Sequence, residues 1–262
     1  PAFVGRDIIE QRLLYYSSRG CKLHLLMGRE QWNYLRSLKL PWLSYFAEDN
    51  VTLVNEGDIF QSVQLRVREN EFDILFVSGG GTITDWGKWI AGEVGKSGVS
   101  LPSIISGSGM FSEKAIFYEG QGEERRKTTY DATPYAEVII DINFIRCFLT
   151  QPLPSSGITA VRANQSGAGD ILSIAIALLD WDLADRLSKE RIDPVIYQRC
   201  QNTLKMLSLY LEDIKECRPV GIVVLAEMLL EGTLLNMRYG SSRPKDGSEH
   251  LLAHHMEKYV SP

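Results

Sequence analysis

The first half of this 262-residue chain alternates short aliphatic or β-branched runs with amphipathic segments, and that alternation restricts it to a parallel sheet flanked by helices. Residues 22–27 read as a strand ending at Gly28, and residues 30–38 as a helix. Residues 50–54 are a second strand, and residues 59–69 carry apolar side chains at helical spacing. Residues 72–77 form a third strand that runs directly into Ser78-Gly79-Gly80-Gly81-Thr82. Further strands are expected at residues 101–105, 114–118 and 137–141. After Asp141 the pattern changes to apolar residues three and four apart. Helices are expected there over residues 170–187, 194–215, 220–236 and 247–260. The proline- and serine-rich stretch around residues 151–157 marks the boundary, which gives an α/β domain over residues 1–153 and a helical domain over residues 154–262.

Composition excludes several classes. With 28 Lys and Arg against 33 Asp and Glu, the formal net charge is −5, and no basic block offers a footprint for a nucleic acid backbone. No apolar run approaches the roughly 20 residues that span a bilayer, so no membrane span is expected. The four cysteines, Cys21, Cys147, Cys200 and Cys217, lie far apart without a C-x-x-C, which suits buried thiols in a reducing, cytoplasmic compartment. Small polar ligands remain as the expected partners. The chain begins at Pro1 and ends at Pro262, just past a histidine-rich segment, and the sequence is expected to be incomplete at its C-terminus.

Three segments carry chemistry. Residues 76–91 are a strand, three glycines and an amphipathic helix; glycines admit a diphosphate close to backbone N–H groups, and the helix start adds partial positive charge. A tight turn that binds nothing is the alternative, but three consecutive glycines are entropically costly for a turn alone. The spacing is neither the dinucleotide fingerprint nor a P-loop. In residues 166–184, Asp170 follows Ser166-Gly167-Ala168-Gly169 and is expected to open a helix, as a cap or, given a partner, as a ligand. In residues 247–259, His250 and His254 are four apart and share a helix face, so with a carboxylate they suit a divalent metal or acid–base work, against the alternative of a solvated face. Arg243 and Lys245 precede that helix as candidate contacts for an anionic substrate, or as a solvated loop.

Taken in order, GGGTITDWGKWIA, AEVIIDINFI, SGAGDILSIAIALLDWDLA and GSSRPKDGSEHLLAHHME resemble the glycerol-1-phosphate dehydrogenase family, including its AraM-type bacterial branch, within the superfamily of dehydroquinate synthases and iron-containing alcohol dehydrogenases. The resemblance covers most of the chain. It implies a dehydroquinate synthase-like fold: an N-terminal Rossmann-like parallel-sheet domain followed by an all-helical C-terminal domain, with the active site in the cleft between them. Asp170 and His250 then match metal ligands, and His254 matches a proton-relay histidine. Gly79, Gly80, Gly81, Thr82 and Asp85 match the turn that binds the NAD or NADP diphosphate, and Ser106 and Lys127 fall at cofactor-facing positions. Ser108, Ser112, Arg243 and Lys245 are the implied substrate contacts. The implied metal is zinc, with nickel or iron as alternatives.

Two departures accompany the match. The family's third metal ligand is a histidine in a later His-Gly motif that the sequence up to Pro262 does not reach, and Ser108 stands where the family commonly has an aspartate. The implied activity is a metal-dependent interconversion of dihydroxyacetone phosphate and sn-glycerol 1-phosphate with NAD(P)H, by a homo-oligomer that contributes to phospholipid biosynthesis. The alternatives are a dehydroquinate synthase-like sugar-phosphate cyclase and a non-catalytic nucleotide-binding member of the fold. Met27-Gly28-Arg29 lacks an acidic residue at the end of the first expected strand, which leans toward tolerance of NADP.

Overall fold

The computed structural model describes residues 1–119, 126–149 and 160–259, without the side chains of Glu119, His254, Glu257, Lys258 and Tyr259. The expected boundary between residues 153 and 154 lies outside the described residues. The chain divides into two compact units. The first comprises Pro1–Ile104, Gly109–Phe117 and Thr129–Ala160; the second comprises Ile105–Ser108, Tyr118–Thr128 and Val161–Pro262.

The first unit is a six-stranded, wholly parallel sheet of Rossmann type, built from β1 (Ala2–Gly5), β2 (Leu23–Gly28), β3 (Val51–Val54), β4 (Ile74–Ser78), β5 (Ser97–Ser100) and β8 (Glu137–Asp141) in the order β1-β8-β5-β4-β2-β3. Every residue of β4 and β8 is buried, as expected of parallel strands covered on both faces. Helices α2 (Arg29–Ser37), α3 (Phe60–Arg68) and α4 (Gly81–Glu93) connect the strands. β6 (Lys114–Glu119) and β7 (Arg126–Asp131) form a separate two-stranded sheet.

The strand expected at residues 101–105 is displaced. Pairing with β4 is made by Ser97–Ser100, and residues 101–105 follow the strand as irregular chain. Leu101 still donates its N–H to the Val77 carbonyl of β4 at 2.7 Å, whereas Ile104 and Ile105 are buried off the ladder, so burial and strand geometry separate there.

Local chemistry at Asp141 fixes two helices at once. Its Oδ1 accepts from the N–H groups of Asn143 and Phe144 at 3.0 and 3.1 Å, capping α5 (Ile142–Cys147). Its Oδ2 accepts from the N–H groups of Ile8 and Ile9 at 2.7 and 3.3 Å, at the start of α1 (Ile8–Ser17). One buried carboxylate thus satisfies four N–H groups at two helix starts.

The second unit contains α6 (Ala160–Arg186), α7 (Pro194–Lys215), α8 (Pro219–Tyr239) and α9 (Ser248–Tyr259). Asp193 caps α7, accepting from the N–H groups of Val195 and Ile196 at 2.9 and 3.0 Å. At Gly221 a Cβ would collide with the Asp213 carbonyl, so α8 starts in contact with the backbone at the end of α7. α8 has a mean hydropathy of 1.6 over its most apolar window and is therefore long and apolar enough to cross a membrane by length and composition, although no such run was expected. Its buried side chains include Ile222, Leu225, Met228, Leu229 and Leu235, while Glu231 pairs with Arg199 on α7 at 2.6 Å.

The start of α6 corrects the expectation for Asp170. The helix begins at Ala160, so Ser166-Gly167-Ala168-Gly169 is helical and Asp170 lies in mid-helix rather than at an N-terminus. The physical reason is a close approach: a Cβ on Gly167 would overlap the carbonyl oxygen of Ile105. Here glycine makes room for a passing backbone instead of marking a loop.

Candidate functional site

In the first unit, chain order reverses at β2. From β2 the chain passes to β3 on one side and then returns to β4 on the other, with Met27 and Ser78 in register where the two strands end. Carboxyl ends of strands at such a reversal form the ligand crevice of open α/β sheets. Gly28 and Gly79 lie there, and a Cβ on either would meet Ile83, at 3.4 and 2.8 Å respectively. Gln31 donates to the Ser78 hydroxyl across the two strand ends at 3.0 Å.

Gly79, Gly80 and Gly81 therefore differ in role. Gly79 packs on Ile83, Gly80 is the extended N-cap of α4, and Gly81 has open space where its Cβ would stand. No side chain caps α4, so its first N–H groups remain open to a ligand. Thr82 is exposed in the same first turn.

Asp85 is buried one turn further on, with Lys88 Nζ at 3.4 Å. Lys88 itself is fully buried and donates to the carbonyl oxygens of Gly109 and Lys114 at 2.7 and 2.6 Å; burial pushes its ammonium below the ordinary lysine value. Ser112 Oγ lies 3.5 Å from the same ammonium. Lys88 thus ties the glycine-turn helix to the segment carrying Ser112, a role that its lysine character alone did not signal in the sequence. Lys127, which belongs to the second unit, is half-buried on β7.

The second unit gathers another set. The segment Ile105–Ser108 lies along α6: Asn164 accepts from the Ile105 N–H at 2.5 Å, Ser166 donates to the Ser106 carbonyl at 3.1 Å, and Asp170 Oδ2 accepts from the Ser108 N–H at 3.1 Å. The same Oδ2 accepts from Lys245 Nζ at 2.8 Å, and this ammonium also donates to Ser108 Oγ at 2.8 Å. Asp170, Ser108 and Lys245 are brought together. Arg243 is directed elsewhere, with Nε 2.8 Å from Glu190 Oε2, while the Tyr239 hydroxyl donates to Oε1 at 2.6 Å. The Tyr239 hydroxyl, seconded by Arg243, holds the Glu190 carboxyl below its ordinary value.

His250 and His254 both lie on α9, whose start is held by Asp180 accepting from the Ser248 N–H at 2.5 Å. The His254 side chain is outside the described residues. Among the described residues no group of three or more His, Cys, Asp and Glu side chains is placed to hold a metal ion. The donor set at Asp170 consequently does not fit the implied metal as arranged, because the carboxylate already faces the ammonium of Lys245.

Comparison with known proteins assigns the family. Residues 38–147 match the family model described as iron-containing alcohol dehydrogenase. Glycerol-1-phosphate dehydrogenase [NAD(P)+] of Halalkalibacterium halodurans is 29% identical over 188 residues, covering 71% of this chain and 43% of that protein. The protein of the same name from Thermofilum pendens is 30% identical over 182 residues, covering 70% of this chain and 48% of its own length. This chain belongs to the iron-containing alcohol dehydrogenase superfamily. It spans a little under half the length of those two relatives. The superfamily fold is also seen in the sulfoacetaldehyde reductase of Bifidobacterium kashiwanohense, solved in complex with NAD+, which superposes with a TM-score of 0.68 at 13% identity, covering 99% of this chain and 69% of that one. Membership accounts for the parallel sheet followed by helices.

Proposed function

We propose that this superfamily member is an NAD(P)-dependent dehydrogenase that interconverts dihydroxyacetone phosphate and sn-glycerol 1-phosphate. The observation that carries the reading is the uncapped start of α4 at the chain reversal between β2 and β4, with open space above Gly81. The names of the relatives supply the substrate class. Gly80, Gly81 and Thr82 would present backbone N–H groups to the cofactor diphosphate. Asp85, Ser106 and Lys127 are the further cofactor contacts in this reading. When bound, the nicotinamide cofactor supplies or accepts the hydride.

The chain's own residues bind and orient. Ser108 and Ser112 offer hydroxyls to the polyol, and Lys245 holds the Ser108 hydroxyl as an acceptor, which leaves the serine proton free to donate onward. Arg243 would have to exchange Glu190 for a substrate phosphate, a trade of one anion for another. Asp170 and His250, as candidate metal-side residues, and His254, as the candidate proton relay, belong to the same reading. Of the four free cysteines, expected to be buried, Cys200 and Cys217 are buried, whereas Cys21 and Cys147 are only half-buried.

The test uses full-length protein with NADH or NADPH and a panel of phosphorylated and free trioses. Steady cofactor oxidation with dihydroxyacetone phosphate, yielding sn-glycerol 1-phosphate, is expected. Product formation without net cofactor consumption would replace the dehydrogenase with a cyclase, and absence of turnover with every triose would overturn the reading.

A further inference from the structure

Lys245 is a built part of the second unit. Its side chain is 6% exposed, and its stem lies on α8, where a Cβ on Gly232 would stand 3.3 Å from Lys245 Cδ. Its N–H donates to the Ser242 carbonyl at 3.0 Å. Ser173 Oγ, three residues beyond Asp170 on α6, lies 2.8 Å from the Asp170 carbonyl oxygen and 2.9 Å from the Lys245 carbonyl oxygen. Just before it, Cys200 Sγ donates to the Pro244 carbonyl at 3.4 Å. The backbone is therefore pinned from α6 and α7, the stem is received by a glycine on α8, and the ammonium is delivered to Asp170 and Ser108 in one arrangement.

A cation held this way is preorganised, since the ordering cost of a long lysine side chain has been met by contacts along its whole stem. It occupies the carboxylate oxygen that a divalent ion would need.

We infer that Lys245 is an intramolecular cation at the Asp170 site, competing directly with any divalent metal there and anchoring the Ser108 hydroxyl in its place. The inference rests on the reading of Asp170 as the superfamily's metal-side carboxylate. It adds that this chain's described residues fill the cation position with their own ammonium.

The experiment is calorimetric titration of cobalt(II) chloride into full-length parent, Lys245→Met, Lys245→Gln and the double variant Lys245→Met, Asp170→Asn. Methionine preserves the buried stem and removes the charge, and glutamine keeps a polar tip, so the two variants guard against a packing artefact. Both single variants should bind one cobalt ion at least tenfold more tightly than the parent, and the double variant should lose that gain. Affinities within twofold of the parent in both single variants would overturn the inference. So would a gain that survives Asp170→Asn, because the metal would then sit elsewhere. NADH binding by the same proteins separates the two levels: loss of NADH binding in the parent defeats the dehydrogenase reading, whereas intact NADH binding with unchanged cobalt affinity defeats only the role of Lys245.

Discussion

Lowering the pH should destabilise this protein through His24 well before its carboxylates titrate. His24 lies on β2 and is 1% exposed; its Nε2 is 2.9 Å from Thr52 Oγ1 on β3, and its ring stacks on Phe72 with centroids 5.3 Å apart. Nδ1 is buried with no hydrogen-bond partner. A proton added to the ring would place a charge in apolar surroundings and an N–H opposite no acceptor. Burial accordingly pushes the imidazole down from 6.5 to about 4. Between those values the unfolded chain binds a proton that the folded protein refuses, so stability rises with pH through the window and falls on acidification. At 1.36 kcal/mol per unit, two-state linkage gives a loss of about 2 kcal/mol between pH 7.5 and pH 5. Urea unfolding followed by circular dichroism at the two pH values measures it. His24→Leu should remove most of that difference whatever its effect on stability at pH 7.5. If the leucine variant loses as much stability on acidification as the parent, burial of His24 is not its origin.

Three substitutions probe other parts of the fold and the site. Gly81→Ala enters open space and should leave the melting temperature nearly unchanged while weakening NADH binding about tenfold or more, as read by fluorescence titration. Gly87→Ala places a Cβ 2.5 Å from both γ-methyl groups of Val77, forcing α4 off β4, and should cost about 1–3 kcal/mol in urea unfolding. Asp141→Ala leaves the N–H groups of Ile8, Ile9, Asn143 and Phe144 without their acceptor and should cost about 2–4 kcal/mol, roughly two helix caps, with faster hydrogen exchange at those amides.

The sheet was legible where periodicity and punctuation agree. Residues 22–27, 72–77 and 137–141 are dense aliphatic runs, and they became the central strands β2, β4 and β8. β1 and β5 were not read. Ala2–Gly5 is four residues long, and Ser97–Ser100 contains two serines and a glycine, so each owes its strand geometry to its neighbours rather than to its own preference. Helix α6 was read ten residues short because glycines signal a break to any local rule. Only the passing Ile105 carbonyl shows why Gly167 is helical.

The candidate site divides along the same line. Local sequence determined that a glycine turn ends a buried strand and opens a helix, because strand propensity, glycine freedom and helical spacing all act within about fifteen residues. It also determined that Asp170 and the α9 histidines carry groups able to take part in chemistry. Which of those groups meet was decided by tertiary structure alone. Arg243 and Lys245 are two residues apart and equally cationic, yet one ends on Glu190 and the other, threaded past Gly232, on Asp170 and Ser108. A side chain's partner is set by which helices pack beside it, and that packing draws on residues more than fifty positions distant, beyond the reach of any local pattern.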